Sequence, residues 1–553
     1  MIKGSCKNHL LRFVVLAMLT LLGTSKLSAQ DVYRSLRQTW LKEAEALKPV
    51  LSETVKRPLN LVQLVKDQHA FQGWKAENAA SVNDFYNTSI KKQNTVILDF
   101  GEHMTGYFSF SLASLSGTPD APVRFKLTFA EVPAEIATPY DPYKGELSRA
   151  WLQDETITVM DIPTTVRISR RMACRYVKIE LVGSSQYFDF KISDVKFTAV
   201  NSAKTIPPAL ARSTSSMIKN IDSIGLKTLK ECMQTVYEDG PKRDRRLWIG
   251  DLYLESLANA YSFKNHDLTK RCLLLLAGLS DPDGKLVGTI LESPTPHPQV
   301  GQHLLDYSLL YNVTLKEYLT QTNDLETANS LWPVAKKQIE IVKTLINKNG
   351  MMDYKRASKE WWLFFDWKDG LDKEVSLQGI TIFALKQTYD LAKLLNRETE
   401  VKDIPAIITS MIKAAKQNLY DPKLGLFVSG PQKQLSYASQ IWMVLAGVTN
   451  ATESKNALTK IARMPNALKP GGPYLYHYYV EALIKTGMQM EAKDLIVSYW
   501  GGMLSKGADT FWEVYDPADE MVSPYKFAPI NSYCHAWSCT PVYFIRKYPK
   551  IFQ

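Results

Sequence analysis

Four carboxylates and four cations crowd into the fourteen residues Glu238-Asp-Gly-Pro-Lys-Arg-Asp-Arg-Arg-Leu-Trp-Ile-Gly-Asp251. Gly240 and Pro241 force a loop there, between two helical stretches, and a solvated loop seldom places Leu247 and Trp248 among its charges. These side chains are therefore expected to pack into one another in a cleft, where burial and neighbouring charge tune carboxyl pKa values. An ion-pair network at a helix junction is the competing reading of this segment alone. A further carboxylate, Glu513, ends Gly507-Ala-Asp-Thr-Phe-Trp-Glu513, ahead of a loop rich in Tyr, Asp and Pro. Two carboxylates facing each other across a funnel are what glycosidic hydrolysis requires: one protonates the leaving oxygen and the other takes a proton from water.

Other clusters fit a cleft that holds sugars. Trp361-Trp362-Leu-Phe-Phe-Asp366-Trp367 places one acid in an aromatic run, where burial costs several kcal/mol unless a polar partner such as a ligand hydroxyl is present. Its bland alternative is a core strip with a helix cap. His535, two residues before Trp537, could offer a neutral donor to a hydroxyl; His297 and His303 have weaker cases.

These residues need elements to position them. Between about 55 and 200 the pattern has period two, with strands expected at 95–100, 107–112, 123–129, 156–160, 166–169, 176–182 and 192–200. Turn residues separate them, which predicts an antiparallel β-sandwich. From about 210 apolar residues recur at helical spacing. Helices are expected at 213–235, 249–262, 266–278, 300–322, 324–348, 375–395, 402–419, 434–447, 452–463, 473–486, 489–503 and 534–547. Twelve helices without strand pairing fit an (α/α)6 toroid around a central funnel. The fold class is thus mainly α, with the β-sandwich first. The expected division is 1–29 export signal, 30–54 helical lead, 55–203 sandwich and 204–553 toroid.

The export signal rests on Lys3, Lys7 and Arg12 before an apolar run at 13–23 and a small-residue stretch ending at Ala29. The run is shorter than the roughly 20 residues of a membrane-spanning helix. Localisation is expected to be periplasmic or extracellular. The 553 residues carry a net charge of +11, which falls to +7 without the first 29, and the basic groups are scattered. No nucleic-acid partner and no membrane span are expected. Five cysteines follow the signal, an odd number without short spacing, which argues against a disulfide framework or a zinc site. Cys534 and Cys539 are expected on one helix, facing apart.

The loop 239–251, the Asp366-Trp367 pair, Thr510-Phe-Trp-Glu513 and His535-Ala-Trp-Ser538 together resemble the motifs of the α-L-rhamnosidases of glycoside hydrolase family 78, in the same order. Leu98-Asp-Phe-Gly-Glu102, Thr105-Gly-Tyr107 and Cys174-Arg-Tyr-Val-Lys178 resemble the sandwich that precedes the barrel there. The resemblance implies an (α/α)6 barrel, hydrolysis with inversion and no cofactor or metal. The family's acid loop usually reads Asp-Cys-Pro-Gln-Arg-Asp-Glu-Arg-Leu-Gly-Trp-x-Gly-Asp, its Glu being the general acid. Asp239, Pro241, Arg243 and Asp244 fall on its first residues, Trp248 and Asp251 on its last, and Arg245 on the Glu. The acid is therefore assigned to the adjacent Asp244, with Glu238 or Asp239 as alternatives, and Glu513 matches the general base. Asp239, Arg243, Asp251, Asp366 and His535 would hold hydroxyls, with Trp248, Trp367, Trp512 and Trp537 shaping a pocket suited to an apolar 6-methyl group. Lys242, Arg245 and Arg246 could instead bind a carboxylate, placing a uronic acid at the neighbouring subsite. The reading is an exported, inverting, exo-acting glycosidase on terminal α-L-rhamnosyl residues of oligo- or polysaccharides. A polysaccharide lyase acting on uronates and a non-catalytic carbohydrate-binding relative are the rivals.

Overall fold

A computed structural model describes residues 31–553; the export signal expected over 1–29 lies outside the described residues. The period-two region forms nine strands: β1 (Ser52–Lys56), β2 (Asn60–Lys66), β3 (Trp74–Ser81), β4 (Thr95–Ser116), β5 (Val123–Ala130), β6 (Asp154–Val159), β7 (Thr164–Arg167), β8 (Met172–Gly183) and β9 (Asp189–Asn201). Every pairing among them is antiparallel. Alternation turns Phe125 and Leu127 of β5, Val177 of β8 and Phe190 and Phe197 of β9 inward onto Phe108 and Phe110 of β4.

The strands expected at 95–100 and 107–112 are one strand, β4. Its register against β8 slips between Asp99 and Met104, where Gly101 takes φ +79°, a conformation that costs a glycine little. The bend lets the first half pair with β2 and β8 and the second with β7 and β9. Strands β1 and β3 escaped the sequence reading because they are mostly exposed, with almost no inward face to detect, and β2 because its apolar residues fall in adjacent pairs, Leu61-Val62 and Leu64-Val65, rather than alternating.

The lead forms α1 (Arg34–Ala46), which packs on the outside of the helical domain: Trp40 Nε1 donates to Ser330 Oγ at 2.8 Å, and Arg37 donates to the carbonyls of Gly278 and Ser280 at 3.0 and 2.6 Å. Six helices then form an outer ring: α2 (Ser216–Cys232), α4 (His266–Gly278), α6 (Leu325–Lys343), α8 (Ile404–Asn418), α10 (Ala451–Ala462) and α12 (Gln489–Ser505). Between them run the inner helices α3 (Ile249–Ala260), α5 (Leu305–Thr322), α7 (Glu374–Leu394), α9 (Tyr437–Leu445) and α11 (Pro473–Lys485). The sixth inner element is a 3₁₀ turn, Ala536–Cys539, followed by α13 (Pro541–Lys547). Each inner element packs on the next and the last returns to α3, closing a toroid of six hairpins.

The inner helices are buried on most sides because they are surrounded; every residue of α9 is buried. Gly379 of α7 permits one such approach, since a Cβ there would lie 2.8 Å from Trp442 Cβ. The single helix expected at 534–547 is interrupted where Pro541 removes a backbone donor. Cys534 therefore lies ahead of the turn rather than on a helix with Cys539, and all five cysteines of the described residues are buried and free. No helix among the described residues is long and apolar enough to cross a membrane.

The two domains are locked along a polar seam. Lys242 Nζ contacts Glu131 Oε2 at 2.9 Å and Glu135 Oε1 at 2.6 Å, all buried. Glu131 also accepts from Tyr533 N at 2.7 Å and lies 3.1 Å from His103 Nε2.

The ring is clasped where its ends meet, by Arg546 of α13 donating twice to Asp222 of α2 at 2.8 Å with both side chains buried. Asp222→Ala leaves the guanidinium buried and unpaired, and is expected to cost about 3–5 kcal/mol, measured by urea denaturation.

Candidate active site

The loop between α2 and α3 is shaped by one carboxylate. Asp239 Oδ2 accepts from the amide of Asp244 at 3.0 Å and Oδ1 from the amide of Arg246 at 3.1 Å. Gly240 is required beneath this turn, because a Cβ there would lie 2.4 Å from the Arg243 carbonyl. Ser532 Oγ donates to that same carbonyl at 2.8 Å, tying the loop to the segment beyond Glu513. Residues Arg246–Trp248 then pair as a short strand with Thr289–Leu291.

Arg243 is buried and bridges the two carboxylates of interest. Its Nη1 donates to Asp244 Oδ1 at 3.1 Å, its Nη2 to Glu513 Oε2, and its Nε to the Ile530 carbonyl at 3.0 Å. The guanidinium lies over the Tyr525 ring, 4.2 Å from its centroid. Glu513 Oε1 accepts from Tyr525 Oη at 2.5 Å and Oε2 from Ser532 N at 3.1 Å. Burial opposes ionisation of Glu513, but Arg243 with these donors holds its pKa below the usual carboxylate range. Asp239 goes the other way, pushed up by burial and by Asp244, and burial drives Asp251 further up, with Asp239 adding to it. Burial lowers His535 to about 3, so its imidazole is neutral.

A cavity of about 310 Å³ opens over these groups. Asp239, Arg243, Asp244, Trp248, Asp251, Trp367, Glu513, His535 and Trp537 all line it. His535 stands 3.9 Å from Asp239 and from Asp251, too far to hydrogen-bond. His535 Nδ1, Asp251 Oδ1 and Trp367 Nε1 are buried with no partner among the described residues. Such groups are costly unless a ligand satisfies them. The apolar wall is continuous: Phe364 stacks on Trp537 at 5.8 Å and meets Trp367 edge-on at 4.9 Å.

Several expected residues do not face the cavity. Glu238 is buried behind the loop, 2.6 Å from Arg171, so it is no alternative acid. Trp512 is 1% exposed and packs on Phe71 of the strand domain at 4.0 Å; its neighbour Glu513 lines the cavity instead. Asp366 accepts from Gly471 N at 2.5 Å behind the wall, and burial raises it to about 7. Lys242 likewise faces the seam. His303 pairs with Asp281 at 3.1 Å, and His297 lies on a short edge strand.

The sequence reading missed Tyr307 on α5, Gln299 and Gln302 after the Leu291 strand, and Leu147 and Trp151 from the strand domain. Trp151 carried no signal, since its approach to the cavity depends on how the domains dock. Tyr525 belonged to the Tyr-rich loop already noticed, without a role. No cluster of His, Cys, Asp or Glu among the described residues has the geometry to hold a metal ion.

Gly240→Ala is expected to displace the loop and to cost roughly 1–3 kcal/mol, read as a lowered denaturation midpoint with quenching changes at Trp248.

Comparison with known proteins places this geometry. Residues 58–199 match the N-terminal domain of glycosyl hydrolase family 78 alpha-rhamnosidases, and residues 209–548 match the bacterial alpha-L-rhamnosidase six-hairpin glycosidase domain. A rhamnosidase from Klebsiella oxytoca, solved with rhamnose bound, superposes with a TM-score of 0.89 at 39% identity, covering 93% of this chain and 99% of that one. A family 78 rhamnosidase of Bacillus sp. GL1 gives 0.67 at 20% identity, covering 82% of this chain and 46% of that one. The Streptomyces avermitilis α-L-rhamnosidase complexed with L-rhamnose gives 0.64 at 15%, covering 90% and 44%. The last two share the fold, and this chain spans about half their length. No curated relative matches the chain. With both domains matched in order and a solved rhamnosidase similar over nearly its whole length, the chain belongs to the α-rhamnosidases of glycoside hydrolase family 78.

Proposed function

We propose that this glycoside hydrolase is an exported, exo-acting α-L-rhamnosidase that cleaves with inversion, Asp244 serving as general acid and Glu513 as general base. The observation that carries the reading is one guanidinium, Arg243, holding both carboxylates at the wall of one small cavity. The lyase and the non-catalytic binding reading give way to membership of a hydrolase family.

Both oxygens of Asp239 are occupied by backbone amides, which suits it to shaping the loop. Asp244 is the more open carboxyl, with 18% of its side chain exposed, and suits protonation of a leaving oxygen. Glu513 stays ionised, and part of Oε1 remains free to take a proton from water. A guanidinium between the two keeps them from direct contact, as a mechanism that holds its carboxyls about 6.5–9.5 Å apart requires. Neutral His535 and protonated Asp251 can donate to or accept from sugar hydroxyls, while Trp537 and Phe364 suit an apolar methyl face. A cavity near the lower end of the roughly 300–1,000 Å³ range of ligand sites supports capture of a terminal residue. The basic, apolar and small-residue order of 1–29 supports export.

Asp244→Asn is expected to lose about 10²–10⁴-fold in kcat/KM on rhamnosyl disaccharides and far less on aryl rhamnosides, whose leaving groups depart unprotonated. Equal losses on both would remove Asp244 from the acid role. The pH profile of kcat/KM should stay high down to below about pH 4.3, the ordinary Glu value, because Glu513 is held low. On the alkaline side it should fall as Asp239, pushed up to about 8 by burial, loses its proton. A profile whose acid limb lies above that value would contradict Glu513 as the base.

A further inference from the structure

Arg245 occupies the position at which the family's acid loop carries a glutamate, yet it does not face the cavity. Its φ of +61° turns it away from Asp244, into an adjacent pocket of about 380 Å³ lined by Ser148, Ala150, Trp151, Arg170 and Arg245. Trp151 lines both this pocket and the main cavity, so the two are neighbours across one side chain.

Charge in this pocket is unbalanced at one residue. Arg170 is matched by Glu155 at 3.4 Å and donates to the carbonyls of Ala150, Trp151 and Leu152, which holds the turn in place. Arg171 is matched by Glu238. Arg245 donates from Nε to the Lys242 carbonyl at 3.1 Å, and its buried Nη2 has no partner among the described residues. Burial, together with the repulsion of Arg171, lowers its pKa to about 10. A half-buried guanidinium beside two further arginines, with no carboxylate of its own, is stabilised by an anion that brings the missing charge.

The position of the pocket says which part of a substrate would bring that anion. On the proposed reading, Asp244 protonates the oxygen of the leaving group, so the leaving sugar extends past Asp244 and out of the cavity, and Trp151, which lines both spaces, is where it would meet the Arg245 pocket. We propose that the Arg245 pocket is the subsite for the leaving-group sugar and selects one bearing an anionic substituent, a uronate carboxylate or a sulfate ester. Trp151 would supply the flat face against which that ring packs, so the strand domain contributes to specificity. Lys242, which had seemed an equal candidate on sequence, is excluded because Glu131 and Glu135 consume its charge in the seam.

The test compares α-L-rhamnosyl-(1→4)-D-glucuronate with its methyl ester, a neutral near-isostere, with an aryl rhamnoside as reference. The wild type is expected to prefer the free acid by about tenfold or more in kcat/KM, mainly through KM, and to lose preference as salt screens the contact. Arg245→Gln should bring the ratio near one and Arg245→Lys should restore part of it. Because the ratio compares two substrates on one enzyme, any loss of folded protein cancels. A sulfated neutral sugar as leaving group, preferred over the uronate, would assign the anion as sulfate. A wild-type ratio near one for both anions, or a preference unchanged in Arg245→Gln, overturns the proposal. If the aryl rhamnoside is also not cleaved, the hydrolytic reading fails separately. Calorimetric titration of acid against ester then decides the subsite: tighter binding of the acid, lost in Arg245→Gln, upholds it, and equal binding overturns it.

Discussion

The site depends on one buried guanidinium. Asp244 and Glu513 lie nearly 270 residues apart in the chain, and two carboxylates brought together in a poorly solvated cavity would drive each other's pKa upward. Arg243 prevents that for Glu513 and sets the spacing between the two. It is itself affordable only because every edge is occupied, by Glu513, by Asp244, by the Ile530 carbonyl and by the face of Tyr525. Arg243 thereby joins the first helical hairpin to the last loop of the ring, which makes the closure of the toroid a condition for chemistry.

The residue before it does comparable work in the opposite direction. Lys242 points away from the cavity into Glu131 and Glu135 of the strand domain, so successive side chains of one turn serve the seam and the site. The strand domain is therefore a backing plate for the catalytic loop, and through Trp151 it reaches the cavity itself. Phe71 against Trp512 repeats the pattern on the other carboxylate's segment. Burying an ion pair is rarely a gain in stability; here the returned value is the orientation of the adjacent residues.

Charge in the cavity is divided by environment. Glu513 has a cation and two further donors, so it is ionised; Asp251 has no cation beside it and is neutral; His535 is too enclosed to be protonated. The result is a wall in which neutral polar groups and aromatic rings surround Glu513 and the guanidiniums of Arg243 and Arg246, an arrangement with partners for hydroxyls and an apolar face. The unmatched charge of Arg245 is displaced to the neighbouring pocket.

Local pattern was enough for much of this. Period two and period 3.6 announced a strand domain followed by twelve helical elements, because alternation and helical spacing are consequences of burying one face of each element. The charged loop, Glu513, Trp367, His535 and Trp537 were legible because charges and aromatics so mixed have few structural uses. Three things were decided only by tertiary contact. Which side of the chain faces the cavity separated Glu513 from Trp512 and Asp244 from Arg245, since sequence does not say which of two neighbouring side chains is in. The roles of Glu238, Lys242 and Asp366 were settled by Arg171, by the seam carboxylates and by Gly471, partners remote in sequence. Trp151 and Tyr307 entered the cavity through domain docking and ring closure, because a side chain's surroundings, unlike its secondary structure, are set by the whole fold.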